Sequence, residues 1–197
     1  DAGRYCIKWN SILNDNFLST YSVETRDFLA RFNEKYNFNN IRQNLDDLKD
    51  LKVLMVGDGI VDEYHYCESM GKSAKANIIV NRYLENEVFA GGAFAIANHV
   101  SSLCDEVHLV TLLGKENSQE DFISANLNPN VGAKFFFRED GPTIVKKRYV
   151  DNYSNQKIFE VNFINDRFID EDLEAKVVNY FESMVSRYDL VLVSDFG

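Results

Sequence analysis

The sequence predicts an α/β protein in which strands of a parallel sheet alternate with helices and a small antiparallel flap interrupts the alternation. Three observations predict it. Residues 51–56 form an almost unbroken apolar run of strand length, as strands buried on both faces do, and the run stops at Gly57-Asp58-Gly59. A small-residue helix then opens at Gly91-Gly92 and is followed by the strand 107–113. The same order recurs near the end, where a helix capped at Asp170 precedes the strand 190–193.

The first 49 residues have a different character. Ser22 suits an N-cap with Glu24 in the first turn, and Phe28, Leu29, Phe32 and Tyr36 then share one helical face. Asn40 is expected to cap a second helix carrying Ile41, Leu45 and Leu48. Two short helices cannot build a core of their own, so residues 1–49 read as a helical arm packed on something else. Residues 50–197 hold the alternating pattern. Residues 78–89 read as extended, the helix from 93 to 103 leads to the strand 107–113, and a helix around 120–127 follows. Three strand candidates then succeed one another at 134–137, 143–150 and 157–164, separated by Asp140-Gly141-Pro142 and by residues 152–155. The flap is therefore expected at about 78–89 and 133–164. The helix with Leu173, Val177, Phe181 and Val185 restores the alternation.

A length of 197 residues with 45% hydrophobic content supports one substantial core and an appendage. The formal net charge of −10 argues against nucleic acid as a partner, because that affinity rests on clustered Lys and Arg. Lys146-Lys147-Arg148 is a local exception that either faces an anionic small molecule or forms a solvated strand face. No apolar run reaches membrane-spanning length and the first residues lack the pattern of a signal peptide, so a soluble cytoplasmic protein is expected. Cys6, Cys67 and Cys104 are odd in number and lack metal-ligand spacing, which suggests neither a disulfide framework nor a metal site. His108, between Val107 and Leu109 in a strand, reads as structural.

The chemistry gathers at two glycine-bearing turns. Gly91 and Gly92 admit a close ligand, and the amides that follow open a helix whose positive end suits a hydroxyl or an anion. After the first strand, Gly57-Asp58-Gly59-Ile60-Val61-Asp62 fails the dinucleotide fingerprint, which needs glycine where Asp62 stands. The carboxylates of Asp58 and Asp62 remain, placed beyond a strand's carboxyl end where they can accept from several hydroxyls. A helix or turn cap is the plainer role for Asp62.

Taken together, Gly57-Asp58 with Asp62, the Gly91-Gly92 helix start, Gly114, Pro142-Thr143 with Lys146 and Arg148, and Ser194-Asp195 resemble the PfkB (ribokinase-like) carbohydrate kinases. Within that family the sugar-kinase domain of the bifunctional ADP-heptose synthases is the nearest likeness, over about residues 50–197. The resemblance implies a three-layer α/β/α fold with a β lid, its C-terminal half lying outside this sequence. It implies that Asp58, Asp62, Gly91 and Gly92 contact sugar hydroxyls. Asn98 stands one helical turn after Ala95, where the family usually has Asn, as a candidate substitute. Lys146 and Arg148 become lid residues able to reach a phosphate on the substrate. ATP and Mg2+ are the implied cosubstrate and cofactor of the longer protein, a sugar or sugar phosphate the partner, and a homodimer through the lid the implied assembly.

The sequence also departs from the family. Cys104 replaces the usual Gly or Ser, and Glu160 and Asn162 replace the Arg and Asp of the heptose kinases. These changes bear on the sugar, not on the fold. The family's Gly-Ala-Gly-Asp motif, whose Asp is the catalytic base, does not occur in the sequence, so no catalytic residue is assigned and the chain alone is expected to be inactive. Residues 9–14, followed by the Tyr21-Ser22 helix start, are similar to the tail of a nucleotidyltransferase domain, which implies a fused cytidylyltransferase-like domain upstream. The leading expectation is the substrate-binding and lid portion of an ATP-dependent sugar kinase in nucleotide-sugar biosynthesis. The alternative is a non-catalytic sugar-binding or docking module with the same fold.

Overall fold

The computed structural model describes residues 20–196. The chain divides into two compact units, Asp1–Asp47 and Leu48–Gly197. Residues 9–14 and Cys6 lie outside the described residues.

In the first unit, helix α1 (Val23–Lys35) is capped as expected: the Ser22 hydroxyl accepts from the Thr25 amide at 3.3 Å. Helix α2 (Phe38–Asp47) begins earlier than the sequence suggests. Its cap is Asn37, whose side chain accepts from the Asn40 amide at 3.0 Å while Asn40 returns the bond at 3.1 Å, a reciprocal capping pair. Phe28, Phe32 and Tyr36 stack at helical spacing, with ring centroids 6.0 and 5.0 Å apart. No residue of either helix is buried.

The second unit contains β1 (Lys52–Gly57), β2 (Gly59–Lys72), β3 (Ile79–Gly92), α3 (Ala93–Val100), β4 (Glu106–Glu116), α4 (Glu120–Asn126), β5 (Val131–Pro142), β6 (Ile144–Asp151), β7 (Lys157–Phe163), α5 (Glu171–Val185) and β8 (Leu190–Ser194). A parallel sheet has the order β5-β4-β1-β8. A second sheet has the order β3-β2-β6-β7 and joins two antiparallel hairpins through a parallel β2–β6 pair. Each hairpin is an insertion at the carboxyl end of a parallel strand: β2-β3 follows β1, and β6-β7 follows β5. Both hairpins leave the parallel sheet in the same sense, so their first strands meet in parallel.

Two expectations about the flap need correction. Residues 59–72 form a 14-residue strand that the sequence pattern did not suggest. Its charged residues sit on both faces, which erases the period-two signal. Residues 131–142, expected in the flap, instead pair with β4 in the parallel sheet. The run Phe135-Phe136-Phe137 explains this, because it needs cover on both sides: Phe135 packs on the core, and Phe136 meets Tyr180 of α5 edge to face at 5.7 Å.

Val53, Leu54 and Met55 of β1 are fully buried, as an apolar central parallel strand requires. On one face Ala93, Phe94, Ala97 and Ile123 from α3 and α4 close over Val53, Met55, Leu109 and Leu113. On the other face Tyr180 of α5 shares a 2.8 Å hydrogen bond with His108. Burial pushes the His108 pKa down, in keeping with a structural imidazole. The α5 cap is Asp170, which accepts from the Leu173 amide at 2.9 Å.

Buried threonine hydroxyls hold the two exits from the parallel sheet. Thr111 donates to the Gly57 carbonyl at 2.7 Å and accepts from the Gly59 amide at 3.1 Å, bracketing the β1–β2 step. Thr143, only 1% exposed, donates to the Ser118 carbonyl at 2.7 Å and accepts from the Gly114 amide at 3.0 Å, tying the β5–β6 step to the end of β4 and the turn before α4. Downstream, Arg138 bonds Asp140 and the carbonyls of Asn165 and Arg167, tying the end of β5 to the segment after β7. The Arg138 bond holds the Asp140 carboxyl down at about 2.

Replacing Thr143 by valine keeps the shape and strands a buried amide and a carbonyl. We expect a loss of about 1–3 kcal/mol in denaturant unfolding. A loss below about 0.5 kcal/mol, the range of ordinary surface changes, would contradict this role.

Candidate functional site

From β1 the chain moves to β4 and β5 on one side and then returns to β8 on the other. The crevice outside the carboxyl ends of β1 and β8 is therefore the topological switch point, where open α/β sheets receive ligands. Asp58 stands there. Its amide donates to the Ser194 carbonyl at 3.1 Å, its carbonyl accepts from the Ala93 amide at 2.9 Å, and its Oδ2 accepts from the Phe196 amide at 3.1 Å. Asp58 thus joins β1, β8 and the start of α3, and the first amide of that helix is already engaged.

Gly92 caps α3 with a φ of +55°, where a side chain is strained, and an added Cβ would lie 2.5 Å from the Asp58 carbonyl oxygen. Gly91 serves the site differently. The space its missing Cβ leaves is where Oδ2 of Asp62 lies, so the glycine and the carboxylate occupy one position from two strands. The Cα partner of Asp62 on β3 is Phe89 and on β6 is Lys146, which places the aspartate mid-strand and not at a cap or turn.

Strand alternation divides the basic run. Lys146 and Arg148 share the face of Asp62, whereas Lys147 points to the opposite face, 3.0 Å from Glu63 and over the Phe163 ring. Glu63 also pairs with His65 at 2.9 Å. Burial alone would raise the Glu63 pKa, but the bonds from His65 and Lys147 outweigh it and hold the carboxyl below its usual value.

Arg148 is not a free cation. Nη1 donates to Oδ1 of Asp62, Nε lies 2.8 Å from Oε2 of Glu160, and the guanidinium sits 5.3 Å from the centre of the Tyr64 ring. The Glu160 contact is an ion pair without hydrogen-bond alignment, since the buried Nε has no hydrogen-bond partner. Burial would lower the Arg148 pKa; the hydrogen bond and charge of Asp62, with the field of Glu160, raise it instead. Lys146 lies between Asp62 and Asn162 in register and has no ion-pair partner among the described residues.

Asp62, Tyr64, Tyr66, Glu87, Phe89, Ala90, Gly91 and Ala95 line an open cavity of about 440 Å³. Tyr64 and Phe89 meet edge to face at 5.8 Å, and the Tyr66 hydroxyl donates to Glu87 at 2.6 Å, which raises the phenol pKa. Carboxylates among aromatic faces can receive hydroxyl groups while a ring's apolar face lies on Tyr64 and Phe89. Tyr64, Tyr66 and Glu87 escaped the sequence reading because they become neighbours only once β2 is recognised as a strand.

Asn98 does not line this cavity. Its Nδ2 donates to the Asn126 carbonyl at 2.8 Å and its Oδ1 accepts from the Asn128 amide at 2.8 Å, so the carboxamide ties α3 to the turn after α4. It does not substitute for the asparagine expected at Ala95. Asp62 and Gly91 line the cavity, Gly92 meets the Asp58 carbonyl at the start of α3, and Arg148 and Lys146 share the lid face of Asp62.

No protein-family model matches the chain. The chain is 31% identical over 153 residues to the bifunctional protein HldE of Haemophilus influenzae, an alignment covering 77% of this chain and 31% of the relative. It thus spans about a third of the length of the curated relatives it matches. Among solved structures, a carbohydrate kinase from Agrobacterium tumefaciens aligns with a TM-score of 0.51 at 19% identity, over 73% of this chain and 45% of that one. Phosphofructokinase-2 from Escherichia coli, solved with fructose-6-phosphate, aligns with a TM-score of 0.51 at 13% identity, over 73% and 45% of the two chains. In fold, residues 48–196 are a ribokinase-like α/β protein with its β lid, and in sequence the chain resembles about a third of the HldE bifunctional proteins.

Proposed function

We propose that the crevice between the carboxyl ends of the parallel strands and the lid binds a carbohydrate, and that the longer protein transfers the γ-phosphate of ATP to one of its hydroxyls. The observation that carries this reading is the placement of the Asp62 carboxylate in the space above Gly91, inside a cavity walled by Tyr64 and Phe89. In it Asp62 accepts sugar hydroxyls, Asp58 holds the strand ends and contributes its carboxylate, and Gly91-Gly92 lets the ring approach the backbone. The lid covers the sugar and keeps water from the phosphoryl group. ATP and Mg2+ enter with the kinase fold, and none of the described residues is assigned to them. In line with the likeness to ADP-heptose synthases, the product serves nucleotide-sugar biosynthesis.

The lid also supports a homodimer. On the face opposite Arg148, Tyr83, His65, Tyr149 and Phe159 form a row with ring centroids 5.9, 5.0 and 4.3 Å apart. Phe159, Val161 and Phe163 are 48%, 40% and 45% exposed along the edge strand β7. A second copy sets the same apolar row against itself and covers the open edge.

Titration of the full-length protein with sugars is expected to show Asp62→Asn weakening binding about tenfold or more, because a neutral amide is the poorer acceptor and also releases Arg148. Equal affinity in both proteins would contradict the site. Binding without turnover in the presence of ATP would select the non-catalytic alternative. In sedimentation equilibrium the wild type is expected to be a dimer and Phe159→Lys a monomer. A wild type that stays monomeric at tens of micromolar, roughly the range of specific dimers, would contradict that interface.

A further inference from the structure

We infer that the crevice selects an uncharged or amino-bearing sugar over a sugar phosphate, and that Glu160 sets this choice by keeping Arg148 occupied. The inference rests on the reading of the crevice as a carbohydrate site and narrows its substrate class.

A phosphate is recognised by donors that are both cationic and free, most effectively by the fork of an arginine. Arg148 is the arginine on this face, and it is held between Asp62 and Glu160 with its plane near Tyr64. Arg148 and Asp62 are largely withdrawn from water, at 14% and 20% exposure, whereas Glu160 stands on the exposed strand β7. A phosphate approaching the guanidinium meets a cation that Asp62 and Glu160 already neutralise, and it sits beside both of those anions. Lys146 is the other cation on the face. Against these two stand Asp62, Glu160 and Glu87, with Glu85 in the same alternating row of β3. The balance is acidic, which repels a dianion.

The same inventory suits other ligands. Hydroxyl groups find carboxylate acceptors at Asp62 and Glu87. An ammonium group finds those charges together with the faces of Tyr64 and Phe89. Arg148 adjoins the cavity wall through Asp62 and Tyr64, and Glu160 acts through Arg148, so it is a positioning residue.

The test is calorimetric titration of the full-length protein with three probes: a neutral aldose, the same aldose as its terminal phosphate, and its 2-amino derivative. The wild type is expected to prefer the neutral and amino forms to the phosphate by about tenfold or more. Glu160→Gln frees Arg148 and is expected to narrow that ratio to within about threefold, chiefly by tightening the phosphate. Glu160→Asp keeps the charge and is expected to retain the wild-type preference. A merely structural role for Glu160 would move all three probes together. Tighter binding of the phosphate by the wild type, or an unchanged ratio in Glu160→Gln, would overturn the inference and leave the carbohydrate site standing. Failure of all three probes to bind the wild type would overturn the carbohydrate site, and the inference with it.

Discussion

The structure depends on how the chain leaves its parallel sheet. A strand that ends in a lid instead of a helix must abandon one ladder of hydrogen bonds and start another, and the residues between are buried where an unpaired amide is costly. Thr111 and Thr143 meet this constraint at both exits, each by donating to one backbone group and accepting from another. With the exits held, β2 and β6 run side by side. That pairing carries Asp62 and Arg148 to neighbouring positions although 86 residues separate them in the chain.

The site follows from the same geometry. Gly91 and Asp62 lie on adjacent antiparallel strands, and the missing side chain of one accommodates the carboxylate of the other. Asp58 closes the floor by bonding the ends of β1, β8 and α3. The parallel sheet therefore supplies the floor and the second sheet supplies the wall of an open cavity. On the lid face the Arg148 guanidinium lies between two carboxylates, those of Asp62 and Glu160.

Much of the fold was legible because its central parts obey simple periods. The apolar run of β1, the glycine pair before α3 and the caps at Ser22 and Asp170 each report a local constraint that the sequence states directly. The lid was harder to read. In β2 Asp62 lines the cavity on one face while Glu63 pairs with His65 and Lys147 on the other, so charge falls at consecutive positions and residues 59–72 lose their alternation. For the same reason Lys146-Lys147-Arg148 looked like a single cationic patch, whereas the pleat sends Lys147 away and ion pairs neutralise Arg148. Asp62 and Gly91 could be nominated from their types and order. That they share one space, and that Asn98 is engaged elsewhere, are facts of pairing that a linear pattern does not contain.

In the proposed function a sugar sits in the space between Asp62, Gly91 and the Tyr64–Phe89 wall. The most direct test of this placement is a crystal structure of the full-length protein grown with a saturating sugar. A sugar hydroxyl is expected within hydrogen-bond reach of the Asp62 carboxylate, with the ring over Gly91-Gly92 and an apolar face toward Tyr64 and Phe89. A sugar bound elsewhere, with Asp62 contacting Arg148 alone, would contradict it.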